Sequence, residues 1–317
     1  MEGFCESGVA KSDILGRRLN VKKRLVVMLL VLAFALLTLI SACADSSLKI
    51  KIGSKNFTES LILGEMYALA LEDSGFEIER NLNLDGTFVA HEALKNGDID
   101  LYPEYTATSL FNIMVLEPQI DSQETFEIVS AYYEKEFDLI WLAPSQVNRS
   151  PAIVMSRKVS DEYGIFTLTD LQKHADKINF GSVPEFEERK DGLAGMIEVY
   201  GEFNFKSIKL LDGGAIYDAV LSDEVQAAVG FGTDSELNNP ELTLLEDDQF
   251  LWPPYLVAPV IRHETLDKNK KIRGILDKIS AKLDIETMRA LNAEVDLNQR
   301  GYADVAEEFL TEEGLIQ

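Results

Sequence analysis

The sequence predicts an α/β fold, because short apolar segments that suit strands alternate along the chain with segments of helical periodicity. The alternation occurs once from Leu48 to Tyr102 and again after Pro151. Strands interleaved with helices form parallel βαβ units. The chain therefore contains two successive runs of βαβ type, and it is long enough for two lobes.

The first run predicts three strands separated by two helices. After Thr58, which we expect to be an N-cap, apolar residues recur at helical spacing, and a second, shorter helix should end at Gly97. The strands are expected at Leu48–Gly53, Ile78–Leu84 and Ile99–Tyr102.

The second run repeats the same order of elements. Its strands are expected at Ile178–Gly181, Ser207–Leu211 and Val225–Val229, and its helices at Leu193–Tyr200 and Ile216–Leu221. The segment from Ile272 to Leu315 should be helical, because its apolar residues recur three and four positions apart.

Residues 1–43 predict an export signal. A basic cluster from Lys22 to Arg24 precedes the apolar stretch Leu25–Ile40, and Ile40-Ser41-Ala42-Cys43 fits a lipobox, whose cysteine becomes lipidated. The alternative is a permanent transmembrane helix, since roughly 18 apolar residues can span a bilayer. We expect Cys43 to carry the lipid and the rest of the chain to be extracytoplasmic.

Composition limits the partners. The chain has 30 Lys+Arg against 54 Asp+Glu, and removal of residues 1–43 would change its net charge from −24 to −27. Such a charge disfavours nucleic acid and anionic lipid surfaces. It is compatible with cationic ligands, although a solvated acidic surface is the simpler explanation. Cys5 and Cys43 are the only cysteines, so the processed chain could form neither a disulfide framework nor a zinc cluster.

The sequence lacks the motifs of enzymes and cofactor sites. His91, His174 and His263 do not have metal-ligand spacing, and no P-loop, nucleophile elbow or CxxC motif occurs. Gly230-Phe231-Gly232 lacks the third glycine of a dinucleotide loop. The acidic residues Glu246–Asp248 could hold a cation but are more typical of an exposed turn. We therefore expect a binding protein without catalytic residues, metal or cofactor.

Three motifs resemble those of one family, the glycine betaine/choline-binding proteins of ABC importers. They are SKNFTES at Ser54–Ser60, LDGT at Leu84–Thr87 and GDIDLYPEYTAT at Gly97–Thr108. Each lies where a strand gives way to a helix, which is where open α/β sheets bind ligands. The resemblance covers nearly all of residues 48–316.

The resemblance implies a type II periplasmic binding protein fold, with a mostly parallel sheet in each of two lobes and a ligand cleft between them. Lobe 1 would comprise residues 48–146 plus 256–317, and lobe 2 residues 147–255. The proline-marked segments Trp141–Ala152 and Phe250–Pro259 would cross between the lobes, because proline interrupts regular elements. The implied function is that of a lipid-anchored receptor delivering a small zwitterion to an ABC permease and its ATPase.

The resemblance also implies a ligand site. A quaternary ammonium donates no hydrogen bond, so several aromatic rings recognise it, while charge-assisted donors hold a carboxylate on the same ligand. Tyr105, Tyr217 and Phe231 would form the aromatic cage. Thr108 and Arg189 would hold the carboxylate. Lys55 and Asn56 lie just before a helix, whose free N–H groups can attract an anion. The implied ligand-binding residues are Lys55, Asn56, Tyr105, Thr108, Arg189, Tyr217 and Phe231.

Two departures from the family pattern leave the solute open. Pro151 and Phe231 stand where the family commonly has cage tyrosines, and Arg149 beside Pro151 would repel a cation but could hold a second anionic group. Choline, carnitine, ergothioneine or another betaine could fit a modified cage. The rival functions are a sensor module without transport and an enzyme such as hydroxymethylbilane synthase, which needs a cysteine within the fold. The rival structural explanation makes Tyr105 and Tyr217 core residues, and Lys55 and Arg189 members of surface ion pairs.

Overall fold

The computed structural model describes residues 49–116, 121–211 and 215–317. Residues Leu48–Gln317 form one compact unit. The predicted signal, its lipobox and Cys43 lie outside the described residues.

The first of two five-stranded sheets has the strand order β2-β1-β3-β10-β4. β1 pairs in parallel with β2 and β3, whereas β10 runs antiparallel to both β3 and β4. Four strands therefore point one way and β10 points the other. The strands are β1 (Lys49–Lys55), β2 (Glu77–Leu84), β3 (Leu101–Tyr105), β4 (Leu139–Trp141) and β10 (Val257–Arg262).

The second sheet repeats this arrangement with the order β7-β6-β8-β5-β9. β6 pairs in parallel with β7 and β8, and β5 is the antiparallel strand between β8 and β9. The expectation of two mostly parallel sheets is confirmed. The strands are β5 (Pro151–Ser156), β6 (Asn179–Ser182), β7 (Ser207–Leu210), β8 (Ala227–Phe231) and β9 (Leu242–Leu244).

Helices cover the sheets. The α-helices are α1 (Thr58–Asp73), α2 (Gly86–Asn96), α3 (Thr106–Thr108, continued by a π turn at Ser109–Ile113), α4 (Ser122–Phe137), α5 (Arg157–Tyr163), α6 (Leu168–His174), α7 (Pro184–Glu188), α8 (Leu193–Tyr200), α9 (Ile216–Leu221), α10 (His263–Lys268), α11 (Lys271–Ser280), α12 (Ile285–Asp296) and α13 (Tyr302–Glu312). Short 3₁₀ turns lie at Ala175–Lys177 and Ser235–Asn238. We call β1–β4, α1–α4, β10 and α10–α13 the first half, and β5–β9 with α5–α9 the second half.

The first sheet has an apolar core on each face, because successive strand residues point to opposite sides. Leu101 packs in the cluster beneath α1 and α11–α13, whereas the adjacent Tyr102 packs in the cluster beneath α2 and α4. The second half has its own core, which includes Phe180 and Val229. Each half thus buries its own apolar side chains.

Two extended segments cross between the halves side by side. Asn148 and Leu256 form an antiparallel bridge, and the Arg149 N–H donates to the Tyr255 carbonyl at 3.1 Å. The Asn148 side chain also accepts a bond from the Tyr255 N–H at 2.7 Å. The division into lobes after residues 146 and 255 stays a prediction.

Most local expectations hold, with three differences, of which the first is that the strand expected at Ile99–Tyr102 runs from Leu101 to Tyr105. Gly97 closes α2 in the left-handed region with φ 78°, as expected. Thr58 is the first helical residue and not the N-cap, which is the extended Phe57; the Thr58 hydroxyl instead donates to Asp296 at 2.6 Å. The strand expected at Val225–Val229 lies two residues later, so Phe231 falls at its carboxyl end.

Candidate functional site

The candidate site lies where strands of both sheets end. Lys55 ends β1, Tyr105 ends β3 and Phe231 ends β8. Arg189 follows α7, and Tyr217 lies in the first turn of α9. The carboxyl ends of neighbouring parallel strands meet at one edge of a sheet, and here two such edges face each other.

Lys55 is buried in an ion pair. Its Nζ lies 2.6 Å from Glu104 Oε1 and donates to Thr87 Oγ1 at 3.0 Å, with only 2% of Lys55 exposed. The Tyr102 hydroxyl donates to the other Glu104 oxygen at 2.8 Å. The charge of Lys55 is therefore balanced within the first half, by an ion pair that is buried and not at the surface as the alternative supposed.

Thr87 connects this pair to the second half. Its hydroxyl donates to Glu185 Oε1 at 2.9 Å, and the same oxygen lies 3.8 Å from Arg189 Nη1. Burial favours a higher pKa for Glu185, but Arg189 and Lys55 together hold that pKa below its ordinary value. An ionised Glu185 thus lies between the two cations.

Arg189 forms a two-pronged bond with Asp191. Nε donates to Oδ1 at 2.8 Å and Nη2 to Oδ2 at 2.5 Å, and both residues are buried. Asn112 donates to Oδ1 at 3.2 Å, and the Tyr255 hydroxyl donates to Oδ2. Burial opposes the charge of Asp191, but Arg189 brings its pKa below the ordinary value. Two of the three guanidinium nitrogens proposed to hold a ligand carboxylate are thus already bonded.

The two predicted cage tyrosines each donate to a carboxylate. The Tyr105 hydroxyl donates to Glu59 Oε1 at 2.6 Å, and the Tyr217 hydroxyl donates to Asp234 Oδ2 at 2.5 Å. Burial, with the nearby carboxylate charge, raises the pKa of both phenols well above the ordinary value, so both remain protonated donors. A side chain at Gly230 would meet the Tyr217 hydroxyl, which explains glycine at this strand position.

Arg149 lies among aromatic rings and carboxylates from both halves. Its guanidinium carbon is 4.3 Å from the centre of the Phe57 ring and 3.7 Å from that of Phe231. Its nitrogens lie 3.8 Å from Glu59 Oε2 and 3.6 Å from Asp234 Oδ1. Pro151 also pairs with Phe231 across β5 and β8. The three residues discussed as departures from the family pattern, Arg149, Pro151 and Phe231, are therefore neighbours in space.

Two predicted residues lie at the margin of this cluster. Asn56 is exposed and donates to Asp85 at 3.1 Å. Thr108 is buried, and its backbone carbonyl accepts a bond from Asn112 at 3.1 Å. Lys55 Nζ also lies 5.4 Å from the centre of the Tyr105 ring. With this contact, those described above link the remaining predicted residues, namely Lys55, Tyr105, Arg189, Tyr217 and Phe231.

Sequence reasoning missed an aromatic residue and several carboxylates of the cluster. These residues are Phe57, Glu59, Glu104, Glu185, Asp191 and Asp234. Phe57, Glu59 and Glu104 stand within two motifs quoted for the resemblance, SKNFTES and GDIDLYPEYTAT. Among these described residues, three cations face five carboxylates, so the cluster carries a formal excess of negative charge.

Two of these carboxylates, Glu104 and Asp191, have short ion pairs. Among the others, Glu59 is the most deeply buried. Burial raises its pKa above the ordinary value, although Arg149 and hydrogen bonds from Tyr105 and Asn292 oppose the shift. Such a carboxylate, flanked by Phe57 and Tyr105 with ring centres 6.1 Å apart, suits the positive end of a ligand.

The described residues contain neither a metal cluster nor a membrane-spanning helix. Within residues 49–116, 121–211 and 215–317, no cluster of three or more His, Cys, Asp or Glu could hold a metal ion. In the same ranges, every helix is too short or too polar to cross a membrane.

This fold and site define a two-sheet substrate-binding protein, and comparison with known families agrees. Residues 49–312 match the family described as the substrate binding domain of ABC-type glycine betaine transport system. The chain belongs to this family, as the motifs predicted.

Curated relatives have different named solutes. The chain is 33% identical over 297 residues to the ergothioneine transport permease/ergothioneine binding protein EgtU of Helicobacter pylori (strain G27), covering 93% of this chain and 53% of that protein. It is 32% identical over 277 residues to a glycine-betaine-binding protein of Pseudomonas aeruginosa, covering 84% and 88%. The chain thus spans about half the length of the first relative and most of the second.

Solved structures share the fold. The crystal structure of a glycine betaine/carnitine/choline ABC transporter protein matches with a TM-score of 0.70 at 26% identity, covering 84% of this chain and 100% of that one. Apo YehZ from Escherichia coli matches with a TM-score of 0.62 at 28% identity, covering 84% and 99%. The type II binding-protein architecture expected from the motifs is confirmed.

Proposed function

We propose that this protein is the extracytoplasmic solute receptor of an ABC importer, anchored by a lipid on Cys43, and that it binds a small quaternary ammonium zwitterion. It would present the solute to a permease driven by an ATPase. The main support is the convergence of Phe57, Tyr105, Tyr217 and Phe231 with carboxylates at the facing strand ends. Aromatic faces beside carboxylates suit a cation that donates no hydrogen bond.

The proposed ligand-binding set keeps all seven predicted residues and adds the aromatic and acidic residues of the cluster. Tyr105, Tyr217 and Phe231 would contact the ammonium group. Lys55, Asn56, Thr108 and Arg189 would serve the carboxylate end. The named solutes of relatives, glycine betaine, carnitine and ergothioneine, together with choline, are the first candidates.

The test is a calorimetric titration of the full chain, purified in mild detergent, with glycine betaine, carnitine, choline and ergothioneine. Glucose and common amino acids serve as comparison solutes. We expect at least one quaternary ammonium zwitterion to bind. Binding restricted to sugars or common amino acids would show that the proposed function is wrong.

Phe231→Leu tests the site itself, because it removes a ring without leaving a buried polar group unpaired. The affinity for the bound zwitterion should fall about 2- to 30-fold, since one ring contributes about 0.5–2 kcal/mol. Phe166→Leu is the matched control, because Phe166 is 54% exposed and lies elsewhere in the second half. Equal affinities of both variants would place Phe231 outside the site.

A further inference from the structure

The guanidinium of Arg149 occupies the place where an aromatic cage would receive a cation. It stacks near Phe57 and Phe231, with ring centres at 4.3 and 3.7 Å. These distances fall within the range of cation–π attraction, about 6 Å from the ring centre. Glu59 and Asp234 supply negative charge on the same group.

The contacts of Arg149 join both halves. Phe57 is the N-cap of α1 and Glu59 lies in its first turn, both in the first half, whereas Phe231 ends β8 and Asp234 follows it in the second half. The backbone of Arg149 is fixed by its bond to the Tyr255 carbonyl at 3.1 Å. Movement of this group therefore requires only rotation of the side chain.

The polar contacts of this guanidinium are looser than those of its neighbour Arg189. Its closest carboxylate oxygens lie at 3.6 and 3.8 Å, beyond hydrogen-bond length, and its buried Nε has no hydrogen-bond partner in the described part of the chain. Arg189, in contrast, bonds Asp191 at 2.8 and 2.5 Å. Displacing Arg149 costs stacking and these two long charge contacts but, within the described part of the chain, breaks no hydrogen bond of its side chain, whereas displacing Arg189 breaks two.

We propose that Arg149 is a tethered cation that a solute must displace from the aromatic cage, and that it thereby determines specificity. The proposal rests on the proposed function, because it concerns the same site. A solute with only a positive group would displace Arg149 from the rings and offer the displaced guanidinium no new partner. A zwitterion fills the cage with its ammonium group and offers its carboxylate to the displaced guanidinium, so Arg149 selects zwitterions over simple cations.

The test compares wild type with Arg149→Ala, using the full chain in mild detergent and titrations with tetramethylammonium, choline and glycine betaine. The variant should bind tetramethylammonium and choline at least tenfold more tightly. Its affinity for glycine betaine should change much less, because loss of the competitor is offset by loss of the carboxylate contact. Arg300→Ala, which removes an arginine paired with Glu294 and Glu308 outside the site, should bind all three as the wild type does.

Methylguanidinium tests occupancy of the cage independently of the natural solute. At low millimolar concentration it should raise the melting temperature of Arg149→Ala and leave that of wild type unchanged. Arg149→Gln is the second variant in case the alanine variant unfolds, and it should behave in the same way.

Two results would overturn the proposal. One is unchanged or weaker binding of tetramethylammonium in both variants together with no effect of methylguanidinium. The other is a loss of glycine betaine affinity as large as the gain expected for choline. If the variants gain both cations while no zwitterion binds wild type or variant, the proposed function fails and the assignment of Arg149 to the cage stands.

Discussion

At the scale of single residues, the three cations of the site differ in how closely they are paired with carboxylates. Lys55 and Arg189 have buried carboxylate partners at 2.6 Å and 2.5 Å, whereas Arg149 has none closer than 3.6 Å. A buried ion pair adds little net stability, but removal of one partner leaves an uncompensated charge. Substitution of Arg189 therefore affects the fold as well as the ligand.

Arg189→Ala should lower the free energy of unfolding by about 3–5 kcal/mol, because Asp191 would remain buried without its partner. Replacement of both groups, by Arg189→Met with Asp191→Asn, should cost clearly less. Urea unfolding measures both changes. A double variant as unstable as the single one would show that the pair is not the source of the loss.

The same variants test the predicted role of Arg189 toward a ligand carboxylate. If its Nη1 holds that carboxylate, glycine betaine should lose about 1.5–3 kcal/mol of binding free energy and choline, which has no carboxylate, much less. Equal losses for the two solutes would mean that Arg189 only supports the fold or the contact between halves.

The resemblance predicted some of the residues that meet at the candidate site, but not all of them. Tyr105 and Phe231 were expected and end strands β3 and β8, and Tyr217 was expected and lies in the first turn of α9. Glu59 and Glu185 were not, because their importance arises from contacts across the cleft that local spacing does not encode. The same limit applies to Lys55, whose partner Glu104 is 49 positions away.

At the scale of elements, the periodicity of apolar residues located helices better than strand ends. The helices Leu193–Tyr200 and Ile216–Leu221 match their predicted bounds. The expected strand Val225–Val229 was displaced, because strand pairing and not apolarity alone sets the bounds: Ala227 pairs with Phe180 and Phe231 with Pro151.

Helix α12 donates hydrogen bonds from the first half to the second. Arg289 donates to the Gly232 carbonyl at 2.6 Å, and Asn292 donates to the Thr233 carbonyl at 3.0 Å. Asp284 caps this helix by accepting the Thr287 N–H at 2.8 Å. A loose α12 should therefore weaken contact between the halves.

Asp284→Ala should lower the free energy of unfolding by about 1 kcal/mol through loss of the cap and should also reduce solute affinity. The matched control is Asp121→Ala, which removes a similar cap from α4, where Asp121 accepts the Glu124 N–H at 2.8 Å. The control should lose similar stability and keep its solute affinity. Solute titration and urea unfolding of both variants measure these effects. If the two variants bind the solute with equal affinity, the cap of α12 does not influence the site.

At the scale of the whole molecule, two sheets of the same strand order face each other through their strand ends. Contacts between the halves come from separate places in the chain, including Thr87 with Glu185 and Asn112 with Asp191. Both pairs lie beside the proposed ligand residues. A bound solute would therefore add its own contacts to an interface that already joins the halves, and closure around the solute is the expected consequence.

A receptor of this kind must stay near its permease, and the predicted lipid on Cys43 would hold it there. Cys43→Ser should abolish lipid attachment, because serine lacks the thiol that carries the lipid, and should leave unprocessed precursor or released protein. Cys5→Ser is the matched control, since this cysteine lies in the segment expected to be removed. Membrane fractionation with intact-mass measurement distinguishes the possibilities. Wild-type protein that retains residues 1–42 in the membrane, with Cys43→Ser unchanged in mass and location, would instead identify Leu25–Ile40 as a permanent transmembrane anchor.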